Sequence, residues 1–254
     1  MQLQPLRALS DNYIWLLAGE AGRALVVDPG EAGPVLRAAA EGMQPAGILL
    51  THHHDDHIGG VPALLARWPD LPVLAPVDDR ISTATRRVAG GESIAIDDWR
   101  FDVVAVPGHT VSHIAFHGHG HLFCGDALFS LGCGRMFEGT PRDMLGSLDR
   151  LAALPDDLLV CCGHEYTVSN AAFARAVDPD NTALQRRSEE ATTMRDAGLP
   201  TVPTTLAAEL ACNPFLRVDA PAVAAAAARW AGTALGARVA VFAALRRWKD
   251  TFPA

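Results

Sequence analysis

Residues 51–57 read THHHDDH and directly follow GILL at 47–50, an apolar run typical of a buried strand. The end of a strand is where α/β proteins display functional side chains. His52 and His54 are two residues apart, so in an extended segment they project to one side and His53 projects to the other. Imidazole nitrogens beside carboxylate oxygens are ligands that zinc, iron and manganese accept. This stretch therefore predicts a metal site at the edge of an α/β sheet.

Three further ligand-type residues also follow apolar runs. They are His109 after FDVVAVPG, Asp126 after HLFCG and His164 after LLVCCG. The stretch at 51–57 adds four more: His52 and His54, and then Asp56 and His57, where the chain turns toward a helix. The candidates therefore number seven. Seven ligands are too many for one tetrahedral ion, but they suffice for two ions if one carboxylate bridges them. The sequence thus predicts two divalent metal ions that share and activate a water molecule, with zinc, iron and manganese all open.

The other histidines favour ordinary roles. His117, His119 and His121 alternate with glycine between two apolar runs, as in a hairpin turn. His113 lies close to the site in sequence and is expected to support a ligand without binding metal itself. No histidine follows His164, so we expect the last part of the chain to carry no metal chemistry.

The chain divides into a part rich in strands and a part rich in helices. Strands are predicted at 13–18, 24–28, 47–50, 101–106, 113–116, 121–126 and 158–162, with helices at 32–41 and from 60 to 68. After residue 165 only helices are predicted, at 167–177, 181–197, 220–231 and 235–250, with prolines between them. We therefore expect a layered α/β domain at 1–165 and a smaller all-α domain at 166–254.

Composition excludes several classes of protein. A hydrophobic content of 49% is enough for a folded core, and a net charge of −8 argues against a general nucleic-acid binder. The first residues, MQLQPLRALSDNY, lack the basic start and apolar run of a signal peptide, and no apolar stretch is long enough to span a bilayer. The five cysteines form no CxxC pair and indicate free thiols in a reducing compartment. We expect a cytoplasmic monomer without nucleic-acid or membrane partners.

The histidine and aspartate pattern resembles the metallo-β-lactamase superfamily. The residues that carry the resemblance are THxHxDH, the single histidine in PGHT, the aspartate in GD and the histidine in GHE. The resemblance implies a four-layer αββα sandwich with the metals at one edge. It also implies a ligand assignment: the first metal on His52, His54 and His109, the second on Asp56, His57 and His164, and Asp126 as the bridge between them.

Longer stretches resemble glyoxalase II, the hydroxyacylglutathione hydrolase family. They are SDNYIWLL at 10–17, GDALFSLGCGRMFEG at 125–139, GHEYTVSNAAFA at 163–174, TVPTTLAAELACNPFLR at 201–217 and RRWKD at 246–250. This similarity includes the helical C-terminal part. It implies hydrolysis of a glutathione thioester, S-D-lactoylglutathione, to D-lactate and glutathione, which is the second step of methylglyoxal detoxification.

The same resemblance implies contacts with glutathione. Arg135 in GCGRMF, Tyr166 in GHEY, and Arg246 and Lys249 in RRWKD occupy positions that the family uses for substrate binding. Arg246 and Lys249 are three residues apart in a predicted helix and therefore share a face. The two carboxylates of glutathione need cationic partners, and Lys249 is the single lysine of the chain.

Three residues depart from the family pattern. Phe137 stands where some members place a tyrosine, so a hydroxyl contact with the substrate is expected to be absent. Ser112 replaces the second glycine of GHTxGH, and Asp55 fills a place that is often aromatic. Separately, Asp28 in VVDPG ends a strand, and we expect its carboxylate either to accept a hydrogen bond from a ligand histidine or simply to form the turn.

The resemblance implies that Asp56 and Asp126 are catalytic together with a bridging hydroxide, because metals lower the pKa of water to about 7. That hydroxide is expected to attack the thioester carbonyl, whose oxygen one metal would polarise. The sequence leaves other functions open. A glutathione persulfide dioxygenase or a lactonase uses the same scaffold, and a non-catalytic metal-binding relic is a further alternative.

Overall fold

The structure is a computed structural model that describes residues 1–253. Strands and short helices alternate as far as Cys162, and helices dominate after it. The strands are β1 (Gln2–Ala8), β2 (Asn12–Ala18), β3 (Arg23–Val27), β4 (Gln44–Leu49), β5 (Val73–Pro76), β6 (Arg86–Val88), β7 (Ser93–Ile96), β8 (Trp99–Ala105), β9 (Ile114–Gly118), β10 (His121–Gly125), β11 (Leu128–Phe129), β12 (Gly132–Cys133), β13 (Leu159–Cys162) and β14 (Thr204–Thr205). The helices are α1 (Gly33–Ala40), α2 (Asp55–Ile58), α3 (Val61–Arg67), α4 (Pro141–Ala152), α5 (Thr167–Val177), α6 (Thr182–Asp196), α7 (Leu206–Cys212), α8 (Pro221–Ala231) and α9 (Arg238–Thr251).

The first sheet contains β1 to β6 in sequence order. Its first three strands are antiparallel, and β3 to β6 run parallel, so β4 and β5 end at the same edge. Alternate side chains of β2 face opposite ways: Ile14 and Leu16 belong to a core cluster that also includes Val35 of α1 and Val61 and Leu64 of α3. The two helices therefore cover one face of this sheet.

The second sheet has the order β14-β13-β10-β9-β8-β7, and the strands from β7 to β10 form antiparallel hairpins. It packs on the free face of the first sheet. Trp15 of β2 donates from its indole Nε1 to the carbonyl of Cys162, at 2.9 Å. Gly47 of β4 lies so close to Ile96 of β7 that a Cβ atom there would be 2.8 Å from its side chain. This packing of two sheets confirms the predicted α/β sandwich.

The chain folds as two compact units. The first unit contains residues 1–105, 112–125 and 161–165, and the second contains 106–111, 126–160 and 166–254. In the second unit an aromatic core joins α5 to the last helix, with Phe173 stacked on Phe215 and Trp248 edge-on to Phe173. The single boundary at residue 165 stays a prediction.

Within residues 1–253, no helix has the combination of length and apolar character that crossing a membrane requires. The five cysteines are buried free thiols. Burial raises the pKa of Cys133 to about 11, so this thiol stays protonated near neutral pH.

Candidate metal centre

The loop that follows β4 is shaped by the turn that follows β3. Asp28 has a left-handed backbone (φ 50°), and its carboxylate accepts hydrogen bonds from Thr51 N at 2.8 Å and Thr51 Oγ1 at 2.7 Å. Gly30 lies against the carbonyl of Asp56, where a Cβ atom would be 1.9 Å from that oxygen. In the sequence DPG, the aspartate therefore holds Thr51, the first residue of THHHDDH. The glycine lets the turn lie close to the start of α2.

The first unit brings five of the predicted ligands into two sets. Atoms of Asp56, His57 and His164 all lie within 4.8 Å of one another. The separations are 3.7 Å from Asp56 Oδ2 to His57 Nε2 and 3.4 Å from Asp56 Oδ2 to His164 Nε2. The other set is His52 and His54, whose Nε2 and Nδ1 atoms are 3.1 Å apart. Two ligands each about 2.0–2.1 Å from a tetrahedral ion lie about 3.3 Å apart, so these separations fit shared metal ions.

Hydrogen bonds orient three of these rings. His57 Nδ1 lies 3.0 Å from Asp28 Oδ2, His164 Nδ1 lies 2.7 Å from Asp11 Oδ1, and His52 Nδ1 lies 3.0 Å from Thr51 Oγ1. When Nδ1 is held by an oxygen, the ring presents Nε2 as the metal-binding atom. Carboxylate–imidazole pairs such as those of His57 and His164 are a common support for metal ligands.

The start of β2 supplies two supporting residues that the sequence did not predict. Asp11 holds His164, and Asn12 Nδ2 donates to Asp56 Oδ2 at 3.0 Å. Backbone pairing fixes this arrangement, because Asn12 and His164 form an isolated β-bridge. Both residues lie in the stretch SDNYIWLL. This stretch was noted for its resemblance to a family, and its chemistry gave no sign that these two residues support the site.

The second unit holds His109 and Asp126 together. His109 Nε2 is 3.5 Å from Asp126 Oδ2, and both residues are buried. His109 Nδ1 lies 2.8 Å from the carbonyl oxygen of Arg135, which leaves Nε2 as the ring atom that faces the carboxylate. This separation also matches two ligands of one ion.

The predicted glutathione-binding residues form a cationic cluster in the second unit. Arg135 Nε lies 3.7 Å from Asp250 Oδ1, and Arg246 Nη2 lies 3.0 Å from the same oxygen. Lys249 donates to the carbonyl of Ser169 at 3.2 Å. Burial, together with the charges of Arg246 and Arg135, lowers the pKa of Lys249 to about 8. Two arginines thus share one carboxylate and Lys249 adds a third positive charge, which leaves a net positive patch.

The members of this cluster differ in exposure. Arg246 is only 4% exposed, donates to the carbonyl of Cys133 at 2.8 Å and lies over the ring of Phe215. Its guanidinium therefore holds the end of β12. The buried charge of Arg246 also helps to lower the pKa of Lys249. The side chain of Arg135 is 65% exposed, so it is open to a ligand from solution.

Two aromatic residues were also predicted to contact the substrate. Phe137 is 65% exposed, its amide donates to the carbonyl of His109 at 3.1 Å, and its ring meets the His109 imidazole edge-on. Tyr166 immediately precedes α5, and its ring contacts Phe129 of β11 edge-on. Phe137 presents only apolar surface at the position where a tyrosine would offer a hydroxyl.

The remaining predicted residues occupy distinct places. Asp55 is exposed at the first turn of α2. Ser112 donates to Asp78 Oδ2, and His53 Nδ1 faces the same carboxylate oxygen at 3.5 Å. His113 stacks on His52 with ring centroids 4.6 Å apart, so it supports a ligand ring by packing.

Two family profiles match most of the chain. The profile described as the metallo-beta-lactamase superfamily matches residues 9–164. The profile described as the hydroxyacylglutathione hydrolase C-terminus matches residues 165–252. The second match covers the helical segment that carries Tyr166, Arg246 and Lys249.

Similar proteins agree over the full length. A hydroxyacylglutathione hydrolase of Xanthomonas axonopodis pv. citri (strain 306) is 58% identical over 255 residues, covering 100% of both chains. A protein of the same name from Xylella fastidiosa (strain M23) is 58% identical over 253 residues, covering 100% of this chain and 98% of the relative.

Solved structures agree with the fold. ETHE1 from Myxococcus xanthus is 30% identical with a TM-score of 0.60, covering 84% of this chain and 100% of that one. BLEG-1 B3 metallo-β-lactamase, at 23% identity and a TM-score of 0.64, covers 85% of this chain and 99% of that one and shares the fold alone. From the two profiles and the full-length relatives, the chain belongs to the hydroxyacylglutathione hydrolase family of the metallo-β-lactamase superfamily.

Proposed function

We propose that this protein is a dinuclear metal thioesterase that hydrolyses S-2-hydroxyacylglutathiones, with S-D-lactoylglutathione giving D-lactate and glutathione. One observation carries the proposal. The hydroxyacylglutathione hydrolase profile covers residues 165–252, and this segment contains Lys249 and the buried Arg246 of the cationic cluster. This reaction is the second step of methylglyoxal detoxification, and we place it in the cytoplasm, where glutathione is kept reduced.

We assign the two metals by the superfamily pattern. His52, His54 and His109 would hold one ion, Asp56, His57 and His164 would hold the other, and Asp126 would bridge them. The path of the chain supports this assignment. Gly163 N donates to the carbonyl of Gly125 at 3.0 Å, so the residues that directly follow, His164 and Asp126, start from adjacent points of two neighbouring strands.

The donor set fits two divalent ions. Imidazole and carboxylate ligands suit zinc best, and they also accept iron or manganese. When bound, the ions would lower the pKa of a water molecule to about 7 and polarise the thioester carbonyl. Asp56 is 41% exposed at its side chain, and the Asn12 amide fixes one of its oxygens, so its carboxylate can orient a water molecule at the solvent side.

The cationic cluster would bind the glutathione part of the substrate. Arg135 and Lys249 are the members that a carboxylate can approach, whereas Arg246 holds the β12 segment in place. Tyr166 would add a polar contact, and Phe137 an apolar one. In this division the segment 1–165 carries the metals and the segment 166–254 carries most of the substrate recognition, in a monomer.

The alternative functions are less well supported. A glutathione persulfide dioxygenase or a lactonase on this scaffold would not require the family-specific segment at 165–252. A non-catalytic relic is disfavoured because none of the seven ligand positions carries a residue that cannot bind metal.

The test is an assay of the metal-loaded protein with S-D-lactoylglutathione, paired with metal analysis of the same sample. Asp126→Asn is expected to lower thioesterase activity at least 100-fold and to reduce bound metal, because the amide is a weak ligand for a divalent ion. Asp70→Asn, at an exposed carboxylate after α3, is the matched control and should change neither. Full activity and two bound ions in Asp126→Asn would contradict the bridging assignment. Oxygen consumption with a glutathione persulfide, without thioester cleavage, would favour the alternative enzyme.

A further inference from the structure

A buried carboxylate lies beside the THHHDDH loop and has no place in the proposed ligand set. Asp78 follows β5, the parallel neighbour of β4, so its loop leaves the first sheet at the same edge as residues 51–57. Asp78 is 8% exposed. Burying a carboxylate is costly unless hydrogen bonds and a cation compensate. The groups that contact Asp78 are therefore the ones that make its burial possible.

Asp78 contacts three separate parts of this edge, two of them by hydrogen bonds. Its Oδ1 accepts from Arg80 N at 3.0 Å and from Arg80 Nε at 2.8 Å. Its Oδ2 accepts from Arg80 Nη2 at 2.8 Å and from Ser112 Oγ at 2.5 Å, and it lies 3.5 Å from His53 Nδ1. Hydrogen bonds from Arg80 hold the pKa of Asp78 well below its usual range, with Ser112 contributing less, so the group is an anion.

Two of these interactions bear on metal ligands. His53 sits between His52 and His54, and its Nδ1 lies 3.5 Å from Asp78 Oδ2, so this contact bears on the backbone from which both neighbours project. Ser112 precedes His113, whose ring stacks on His52 at 4.6 Å. Asp78 is therefore linked to the His52 imidazole by a hydrogen bond to Ser112, next to the stacked His113, and it also lies close to the His53 ring.

We propose that Asp78 and Ser112 form a brace that positions the His52–His54 pair for metal binding, so that Asp78 is a positioning residue of this centre. Ser112 stands where the GHTxGH pattern of the family has glycine, which has no hydroxyl to donate. The brace thus includes a residue that departs from the family pattern. This inference rests on the proposed metal centre and is independent of the substrate.

The size of the effect follows from the interaction that each variant removes. Removing partners that orient metal ligands typically lowers metal affinity 10- to 100-fold, and we expect this range for Asp78→Asn. Ser112→Ala removes one hydrogen bond and should lower the affinity about 2- to 10-fold. Ser112→Thr keeps the hydroxyl and should retain the affinity of the parent protein.

The experiment measures Zn²⁺ affinity of the metal-free full-length protein by competition with a chromophoric chelator, with thermal unfolding of the same metal-free samples. Asp79→Asn is the matched control, because the Asp79 side chain is fully exposed one residue away. We expect metal affinity to fall in Asp78→Asn and in Ser112→Ala, and to remain in Ser112→Thr and Asp79→Asn.

Several outcomes would overturn the brace. Parent-like affinity in Asp78→Asn, or a loss of stability without a loss of affinity, would mean that Asp78 only holds its own turn through Arg80. If Asp78→Asn does not fold, the Ser112→Ala variant decides: a Zn²⁺ affinity equal to that of the parent protein would by itself overturn the proposal. A parent protein that binds no Zn²⁺ at all would instead contradict the metal centre, and so the function proposed above.

Discussion

Lys249 should make substrate binding depend on pH in a range where most lysines do not titrate. Burial, together with the charges of Arg246 and Arg135, lowers its pKa to about 8. The side chain is therefore mostly charged at pH 7 and mostly neutral at pH 9.5. Because the proposed partner is a carboxylate of glutathione, the KM should rise as Lys249 loses its proton.

The magnitude follows from the charged fraction. With a pKa of about 8, this fraction falls from about 90% at pH 7 to about 3% at pH 9.5, which is about 30-fold. A hydrogen bond to a charged group contributes about 1.5–3 kcal/mol, so complete loss of the charge raises KM about 10- to 150-fold. We therefore expect KM to rise between about 10- and 30-fold over this range, with a smaller change in kcat.

The assay measures KM and kcat for S-D-lactoylglutathione from pH 7 to 9.5 in the parent, Lys249→Arg and Lys249→Met proteins. The α-amino group of the substrate titrates near pH 8 as well, so Lys249→Arg is needed as the control: its guanidinium stays charged throughout. Its KM should vary only as the substrate titrates, and Lys249→Met should show a raised KM already at pH 7. A parent profile that matches the Lys249→Arg profile would refute this reasoning.

Two further perturbations test the support of the site. Asp28→Ala removes the acceptor of two Thr51 hydrogen bonds and the partner of His57 Nδ1, so Zn²⁺ affinity, measured by chelator competition, should fall about 10- to 100-fold; unchanged affinity would show that the turn alone positions the loop. Glu209 is fully buried and accepts from Ser130 Oγ and Leu131 N, and burial raises its pKa. Glu209→Gln places an amide donor against these donors. It should lower the free energy of unfolding, measured with urea at pH 7, by about 1–3 kcal/mol. An unchanged free energy of unfolding would contradict this prediction.

The sequence predicted the strands and helices that have strong local patterns. The hairpin of β2 and β3 and the hairpin of β9 and β10 were confirmed, because each strand is a continuous apolar run with glycines at the turn. β1 was missed because Pro5 interrupts a partly exposed edge strand, and β5 is only four residues long. α4 was also missed, although its signal was present: Thr140 and Asp143 form a capping box, and Pro141 occupies the first turn.

The residues of the candidate site also fall into those that a local sequence pattern indicates and those that only the tertiary fold brings together. The seven candidate ligands stand out in the sequence because they lie in short segments that follow apolar runs, which is a local property, and their role as ligands stays a prediction. Asp11 and Asp78 could not, because nothing near them in sequence indicates that they meet His164 and His53, which are 153 and 25 residues away. Such partners are set by strand order and by the β-bridge at Asn12, and these are properties of the tertiary fold.

The identity of the cation at position 249 has a physical consequence of its own. Twenty of the 21 basic residues are arginines, yet the half-buried place beside Phe173 and Ser169 holds the single lysine. An ammonium is a compact charge that fits over one ring while donating to one carbonyl, whereas a guanidinium is planar and needs more room. We therefore expect Lys249→Arg, despite its constant charge, to have a higher KM than the parent at pH 7 and a lower KM than Lys249→Met. That order would separate the contribution of charge from that of shape, and equal KM values for parent and Lys249→Arg would show that charge alone selects the substrate.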